Sequence, residues 1–421
     1  MLTVPLDWSE PDGETMPLRV YRQKSTASES RGTIINFPSG PGESGDIGFA
    51  SLREQMPDYD LVAIDPRGVG DSGELSCPAS NVLDIPLVPP TDEKEFAALR
   101  ADQEALWSAC STDPAAIASH ADAVSNARDA EAFRAALGVD RVNVYGFSYG
   151  TLYAERYLGM FGRHVNGSIL EGVMNPAQSR REFVTTAAAS SQALFERFAK
   201  TCGSDDGCVL HDKDIPAVLQ AAKRQARDGK VPGTSYGRPW SDAAVSRYMD
   251  SAMTSDVRKA AADLLELSRG RNPISDEGPD GQLPARVPYA DLLVCSDFDM
   301  SVRTVEQARL DHAAMRRAAP DMGYSANSAQ YTSICLGGPQ PADGSMAPVA
   351  SRSPVPTLLL SNSHDPSTPV AWANSVEHQL GAGTYHIRTD RAGHGGALEE
   401  PAVVQQVTDY MDTVNPRRPE G

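Results

Sequence analysis

The sequence predicts an α/β fold, with helices on both faces of a mostly parallel central sheet and a mainly helical insertion. Three observations lead to this class. Short apolar runs alternate with helical stretches towards both ends of the chain, which is typical of parallel strands joined by crossover helices. These runs are apolar throughout, as expected for strands covered on both faces. Between about residues 176 and 350 the pattern changes to Ala-rich helical stretches and Gly- and Pro-rich loops.

The first part of the chain contains most of the predicted strands. Apolar segments that end in Gly, Pro or Asp turns indicate strands, and a long amphipathic stretch stopped by Gly138 indicates a helix. The strands are predicted at residues 2–6, 16–21, 32–37, 60–64, 141–145 and 165–170, and the helices at 122–137 and 151–158.

The middle of the chain predicts helices at residues 187–200, 215–228 and 243–268. The α/β pattern then resumes, with strands at 356–361 and 384–388 and a last helix at 403–414. We therefore expect residues 1–175 and 351–421 to form the catalytic domain, and residues 176–350 to form a helical cap or lid.

Composition excludes several functional classes. Of the 421 residues, 56 are acidic and 38 basic, so the formal net charge is −18 and nucleic acid is a poor partner. No apolar run approaches the length of a membrane span. The N-terminal residues 1–8 lack the basic and apolar stretches of a signal peptide, so export would require a targeting segment that is no longer present.

The six cysteines predict disulfides in an oxidising compartment. None forms a CxxC pair or lies near a histidine at zinc-finger spacing, so no metal site is expected. Cys202 and Cys208 flank a short flexible turn and are expected to pair. By elimination and order, Cys77 is then assigned to Cys110 and Cys295 to Cys335. Other pairings, and six reduced thiols, remain open at this stage.

Residues Gly146-Phe-Ser-Tyr-Gly150 predict a nucleophilic serine, Ser148. The G-x-S-x-G pattern follows a predicted strand and precedes a predicted helix, which is the context that this motif requires. The glycines allow a tight, strained turn that exposes the serine oxygen. A helix that begins there also adds partial positive charge near a developing oxyanion.

A serine hydroxyl needs a base to remove its proton, and the order nucleophile, acid, histidine is expected. His394 lies in the Gly-rich loop after the last strand, and Asp365 follows the penultimate strand. We predict that they are the base and the acid. Asp390 is the rival acid, but it lies too close to His394 in sequence to reach it from another strand.

The oxyanion hole requires two backbone N–H donors. Tyr149, directly after the nucleophile, is expected to supply one. The other should come from the loop Ser39-Gly-Pro-Gly-Glu-Ser-Gly45. Pro41 has no N–H, so we predict Gly40.

These motifs resemble the proline iminopeptidase and tripeptidyl aminopeptidase family of α/β-hydrolases, especially its secreted actinobacterial branch with a TAP-like C-terminal region. The resemblance covers nearly the whole chain, with a looser match in the insertion. It implies an α/β-hydrolase fold, the triad Ser148, Asp365 and His394, and an oxyanion hole of Gly40 and Tyr149. It also implies export and the removal of short peptides or residues from peptide N-termini. The motifs that carry it are Pro38-Ser-Gly-Pro-Gly-Glu-Ser-Gly45, Asp65-Pro-Arg-Gly-Val-Gly-Asp-Ser-Gly73, Gly146-Phe-Ser-Tyr-Gly-Thr151, Asp365-Pro-Ser-Thr-Pro369 and Gly393-His-Gly395.

Ser39 and Glu43 depart from this pattern, because relatives usually carry glycine at both positions. The oxyanion loop is therefore expected to be stiffer and more acidic.

An aminopeptidase must bind a protonated α-amine, which requires a carboxylate near the nucleophile. The candidates are Glu171, at the end of a strand, and Asp297 and Asp299 in the insertion. Each is also explained as an ordinary structural or surface acid.

The sequence thus predicts a secreted or cell-envelope serine exopeptidase that acts on peptides through an acyl-enzyme and needs no cofactor. One alternative is an esterase, lactonase or amidase that acts on a small metabolite with the same triad. The other is a non-catalytic binding protein on a hydrolase scaffold.

Overall fold

Strands and helices alternate at both ends of the chain, as predicted. The computed structural model describes residues 1–110, 116–235, 238–274 and 284–416. Its strands are β1 Leu2–Pro5, β2 Thr15–Leu18, β3 Val20–Gln23, β4 Thr33–Phe37, β5 Asp60–Ile64, β6 Ser76–Pro78, β7 Val142–Phe147, β8 Val165–Glu171, β9 Thr234–Ser235, β10 Arg238–Pro239, β11 Arg286–Pro288, β12 Thr357–His364 and β13 Tyr385–Ala392. Its α-helices are α1 Phe49–Gln55, α2 Ala79–Asp84, α3 Glu93–Ala109, α4 Ala123–Ala136, α5 Tyr149–Phe161, α6 Arg180–Gly203, α7 Ile215–Arg227, α8 Asp242–Ala252, α9 Val257–Ser268, α10 Val294–Asp297, α11 Val305–Ala318, α12 Ala326–Ile334, α13 Val370–Leu380 and α14 Pro401–Val414.

A mostly parallel sheet lies at the centre of the fold. Its seven strands follow the order β13-β12-β8-β7-β4-β5-β3. All neighbours are parallel except β3, which runs antiparallel to β5 at one edge. Loops after β4, β7, β8, β12 and β13 therefore meet at one edge of the sheet, where open α/β sheets bind ligands.

Helices bury both faces of this sheet. Ile34 of β4 packs with Phe49 of α1 and Val407 of α14, whereas its neighbour Ile35 belongs to the cluster of the opposite face, which includes Leu152 of α5. Successive strand residues point to opposite faces. The continuous apolar runs are thus explained by two covered faces, as the sequence predicts.

The predicted strand at 16–21 is wrong in one respect, because Arg19 divides it into two. The N–H of Arg19 donates to the hydroxyl of Ser72 (2.9 Å), and its carbonyl accepts from the N–H of Asp65 (3.0 Å). β2 accordingly pairs with β1, outside the main sheet, while β3 joins the sheet beside β5.

The segment between residues 176 and 350 is mainly helical in its described parts, where α6 to α12 lie. The predicted helix at 243–268 is two helices, because the carboxylate of Asp256 caps α9 by accepting from the N–H groups of Arg258 and Lys259. Buried side chains form one continuous cluster from the sheet into α6, α7, α8 and α9. The division into domains at residues 176 and 350 stays a prediction.

The three predicted disulfides are confirmed. They join Cys77 to Cys110, Cys202 to Cys208, and Cys295 to Cys335. The first bond ties β6 to the end of α3, and the other two lie within the insertion.

Among the described residues, no helix combines the length and the apolar character that crossing a membrane requires.

Candidate active site

Ser148 occupies a strained turn between β7 and α5. Its φ is 54°, and it is the one residue other than glycine with positive φ in the described part of the chain. Glycine is required at positions 146 and 150 because neighbouring backbone atoms lie too close to leave room for a side chain. A Cβ on Gly150 would lie 2.1 Å from the carbonyl oxygen of Phe37, and a Cβ on Gly146 would lie 2.8 Å from that of Gly150. The turn therefore presents Ser148 at the edge of the sheet where the loops meet.

Asp365 follows β12, and its carboxylate accepts four hydrogen bonds. Oδ1 accepts from the N–H groups of Ser367 (2.8 Å) and Thr368 (2.9 Å). Oδ2 accepts from the hydroxyl of Thr368 (2.8 Å) and lies 2.8 Å from Nδ1 of His394. Since the side chain is 1% exposed, its orientation is fixed by these partners.

His394 lies in the loop after β13. The Nδ1–Oδ2 contact with Asp365 assigns the proton to Nδ1 and leaves Nε2 free to act as a base. The imidazole stacks on the ring of Phe147, the residue before Ser148, with 4.9 Å between ring centroids. Burial lowers the pKa of His394, but the charge and hydrogen bond of Asp365 and the charges of Glu171 and Glu43 outweigh it, so the pKa is raised.

Gly40 and Tyr149 border the same cavity as Ser148 and His394. Tyr149 begins α5, and the first N–H groups of a helix have no partner within it. The loop that carries Gly40 follows β4, directly beside β7 in the sheet. These positions suit the two backbone donors of an oxyanion hole.

The cavity has a volume of about 250 Å³ and is walled by both the sheet edge and the insertion. It is partly polar and carries the charged side chains of Glu43, Arg247 and Asp291 beside His394. Its lining residues are Ser39, Gly40, Glu43, Ser148, Tyr149, Met174, Phe183, Arg247, Asp291, Asn327, Ser328, Gln330, Tyr331, Ile334, Ser367, Thr368, Trp372 and His394.

Comparison with known proteins decides the family. A sequence profile of the alpha/beta hydrolase fold matches residues 32–401. This chain belongs to the α/β-hydrolase family.

Three relatives of this α/β hydrolase have different names. It is 26% identical to serine protease Hip1 of Mycobacterium tuberculosis, over 90% of this chain and 78% of that protein. It is 26% identical to a tripeptidyl aminopeptidase of Streptomyces lividans, over 98% of this chain and 81% of that protein. It is 27% identical to carboxylesterase B of M. tuberculosis, over 90% of this chain and 78% of that protein.

The three acids that the sequence suggested for amine binding do not line the cavity. Glu171 is 3% exposed and is bonded to Tyr145 and Ala397. Asp297 is fully buried and accepts from the hydroxyl of Tyr149 (2.6 Å) and the N–H of Ala123 (2.7 Å). Asp299 is partly exposed and forms an ion pair with Arg303 at 3.5 Å. The carboxylates of Glu171 and Asp297 therefore bond to groups of the protein itself and do not face the cavity.

Asp291 and Glu43 are the acids that do line the cavity of this α/β hydrolase. Burial raises the pKa of Asp291, against the opposing charges of Arg247 and Arg238. Sequence reasoning missed Asp291, because nothing in the surrounding residues distinguishes it from other acids of the insertion. Glu43 stands out in the sequence as a departure from the family pattern, but the sequence did not predict that it would line the cavity.

No cluster of three or more His, Cys, Asp or Glu side chains able to hold a metal ion occurs within the described ranges.

Proposed function

We propose that this protein is a serine hydrolase that releases short peptides or single residues from peptide N-termini through an acyl-enzyme on Ser148. One observation carries the proposal. The Nδ1 of His394 lies 2.8 Å from the carboxylate of Asp365, and the same imidazole borders the cavity that contains Ser148. A buried acid, an oriented imidazole and a serine on a strained turn make up the machinery of acyl transfer.

In the first step, Oγ of Ser148 attacks the scissile carbonyl carbon while Nε2 of His394 takes the hydroxyl proton. The carbonyl oxygen becomes an oxyanion, which the N–H groups of Gly40 and Tyr149 stabilise. His394 then gives its proton to the departing amine as the C–N bond breaks, which leaves an ester on Ser148. Asp365 stabilises the imidazolium that exists between these transfers.

In the second step, water attacks the ester carbonyl and His394 takes a proton from it. The tetrahedral intermediate collapses, the bond to Oγ breaks, and His394 returns the proton to Ser148. The acyl part of the substrate leaves as a free acid.

The cavity supports action on chain ends. Its volume of about 250 Å³ is near the lower end of ligand sites, roughly 300–1,000 Å³, and suits a short terminus better than the middle of a polypeptide. Among its described lining residues, Asp291 and Glu43 are two acids against the single Arg247, and an excess of negative charge favours a protonated α-amine. The tripeptidyl aminopeptidase and serine protease relatives support a peptide substrate.

We propose Asp291 as the main anchor of the substrate amine, because Glu43 already accepts a hydrogen bond from Ser39. Asp291→Asn should raise the KM for a free-amine peptide naphthylamide by about 10- to 100-fold, the equivalent of one hydrogen bond to a charged group. The KM for the N-acetylated substrate should stay unchanged. Asp299→Asn, an acid outside the cavity, is the matched control. Equal KM changes for both substrates would contradict this role.

An esterase, lactonase or amidase with the same triad is the second candidate, supported by the relative named carboxylesterase B. Aminoacyl and tripeptidyl naphthylamides should be assayed beside nitrophenyl esters with wild-type protein and Ser148→Ala. Turnover of esters alone would favour this candidate. Retained turnover by Ser148→Ala would contradict the nucleophile that both hydrolase proposals share. No turnover and no labelling of wild type by a fluorophosphonate probe would leave a binding protein.

We also propose that residues 176–350 act as a cap that limits the length of the substrate. Phe183, Arg247 and Tyr331 of this segment line the cavity. Substitution of Arg247 and Tyr331 by Ala should relax the preference for short peptides, measured with a ladder of peptides of increasing length. An unchanged length preference would contradict the cap function.

We further propose that the protein works outside the cytosol, in a secreted or cell-envelope location. Three disulfides are typical of oxidising compartments. Alkylation of the native protein in its own cells, followed by mass spectrometry, should find all six cysteines protected until a reductant is added. Free thiols before reduction would contradict this location.

A further inference from the structure

Glu171 contacts both the nucleophile turn and the histidine loop. It ends β8, in register with Phe147 of β7 on one side and Leu360 of β12 on the other. Its backbone carbonyl accepts from the N–H of Ser148 (2.9 Å). Its side-chain Oε1 accepts from the N–H of Ala397 (2.9 Å), three residues after His394. Both of these catalytic segments are thus fixed by one residue.

The other carboxylate oxygen of Glu171 is also bonded. Oε2 accepts from the hydroxyl of Tyr145 (2.7 Å), a side chain of β7 that is itself buried. A buried carboxylate whose oxygens both have partners holds a fixed position. Ala397 is therefore tied to the sheet and not only to its own loop.

The chain after Glu171 lies against the imidazole. Gly172 has a φ of 62°, and a Cβ at this position would lie 3.2 Å from Cε1 of His394 and 3.0 Å from Oγ1 of Thr368. Only glycine brings the end of β8 this close to His394 without displacement. The carboxylate of Glu171 is consequently one of the charges that raise the pKa of His394.

We propose that Glu171 is a positioning residue, which holds the loop of His394 in place and adds negative charge that stabilises the imidazolium. This inference rests on the roles proposed above for Ser148 and His394. It assigns to Glu171 a function other than binding the substrate amine.

Three carboxylates act on His394 from different elements. Asp365 lies on the loop after β12 at 2.8 Å, Glu171 ends β8, and Glu43 lies on the loop after β4; all three raise the pKa of the imidazole. Burial raises the pKa of Glu171, while its bonds to Tyr145 and Ala397 and the charge of His394 oppose that rise. Removal of the Glu171 charge should therefore lower the pKa of His394.

The test uses Glu171→Gln and a nitrophenyl ester that both hydrolase proposals accept. The Gln amide can accept from Ala397 and donate to the oxygen of Tyr145, so the shape and the hydrogen bonds are kept while the charge is lost. His394 must be neutral to act as a base, so activity rises with pH as it loses its proton. The acid limb of the kcat/KM profile should shift to lower pH. A purely structural role would leave this limb unchanged.

Glu171→Ala tests the positioning itself. Loss of both side-chain hydrogen bonds should lower kcat by about 10- to 100-fold, as expected for a displaced catalytic group, with little change in KM. The rate of fluorophosphonate labelling should fall in parallel. If this variant does not fold, the pH profile of Glu171→Gln still decides the question.

Glu155→Gln is the control for replacing a buried acid, since burial holds the pKa of Glu155 in α5 well above its usual range, against the charge of Arg156, and Glu155 is not among the groups that shift the pKa of His394. Its acid limb should coincide with that of wild type. An unchanged limb in Glu171→Gln, with Ser148→Ala inactive, would overturn the role of Glu171 alone. Retained turnover in Ser148→Ala would instead overturn the proposed function.

Discussion

The hydroxyl of Ser190 in α6 donates a hydrogen bond of 2.6 Å to the backbone carbonyl of Asp365. Helix α6 belongs to the insertion and Asp365 to the loop after β12, so the insertion contacts the acid of the site directly. Ser325 precedes α12, and its hydroxyl donates to the backbone carbonyl of Pro366, the residue after Asp365, at 3.4 Å. The insertion therefore supports the acid loop as well as the cavity wall.

Ser190→Ala should lower kcat by a few-fold and the free energy of unfolding by about 1 kcal/mol, because a buried carbonyl loses its partner. Ester turnover and urea unfolding measure the two effects. Ser375→Ala is the control, since the hydroxyl of Ser375 bonds to the carbonyl of Ala371 in its own exposed helix turn. Equal kcat values and equal free energies of unfolding for the two variants would contradict a supporting role for α6.

The raised pKa of His394 predicts that kcat/KM reaches half its maximum above pH 6.5, the usual value for histidine. Activity falls below this point as the imidazole becomes protonated.

Asp365→Asn should reduce kcat by roughly 10³- to 10⁴-fold, because the amide cannot hold the reactive tautomer.

Asp390→Asn is the control for the acid. Asp390 is exposed and forms an ion pair with Arg197 at 2.9 Å, so its removal should leave kcat within about twofold of wild type. Loss of activity in Asp390→Asn, with activity retained in Asp365→Asn, would reverse the assignment of the acid.

Asp297 should make stability depend on pH. Burial raises its pKa to about 7, above the usual value for an exposed aspartate, so the folded state holds a proton that the unfolded state releases between about pH 4 and pH 7. This contribution to stability is complete below that window and is lost as pH rises through it. Asp297→Asn should show a flatter decline of the free energy of unfolding between pH 4 and pH 7.

Denaturant unfolding at several pH values measures this effect. The control is Asp409→Asn, a substitution on the surface of α14 that should keep the wild-type slope. Identical slopes in wild type and Asp297→Asn would show that the buried carboxyl does not titrate as described.

The two disulfides of the insertion should differ in how much they stabilise the folded protein. Cys202–Cys208 closes a separation of 6 residues, whereas Cys295–Cys335 closes 40. Since a longer loop loses more entropy on cross-linking, removal of the second bond should cost about 1.5 kcal/mol more. The comparison is between double Cys→Ser variants in denaturant unfolding. A larger loss from the 202–208 pair would contradict this ranking.

Gly150→Ala should abolish activity and lower the yield of folded protein, because its Cβ would lie 2.1 Å from the carbonyl oxygen of Phe37. Gly203→Ala is the matched control, as a Cβ at Gly203 meets no atom within 4 Å. Ester turnover and circular dichroism of both variants check this prediction. A folded, active Gly150→Ala would show that the turn can relax.

The sequence by itself determined most strands of the sheet and the order of the motifs, but it left the pairing of the cysteines open until the structure joined them. Apolar runs, turn residues and the glycines around Ser148 are local signals, because burial on both faces and positive φ each restrict the residues that fit. Asp365 and His394 could be chosen since the loops after parallel strands meet at one edge of the sheet.

Only the tertiary structure decided which acids face the cavity. Glu171 lies at the predicted edge, yet its carboxylate turns to Tyr145 and Ala397, and Asp297 turns to Tyr149. Asp291 borders the cavity instead. Each of these outcomes depends on partners far away in the chain, and the direction of a buried carboxylate is set by the donors that packing brings to it.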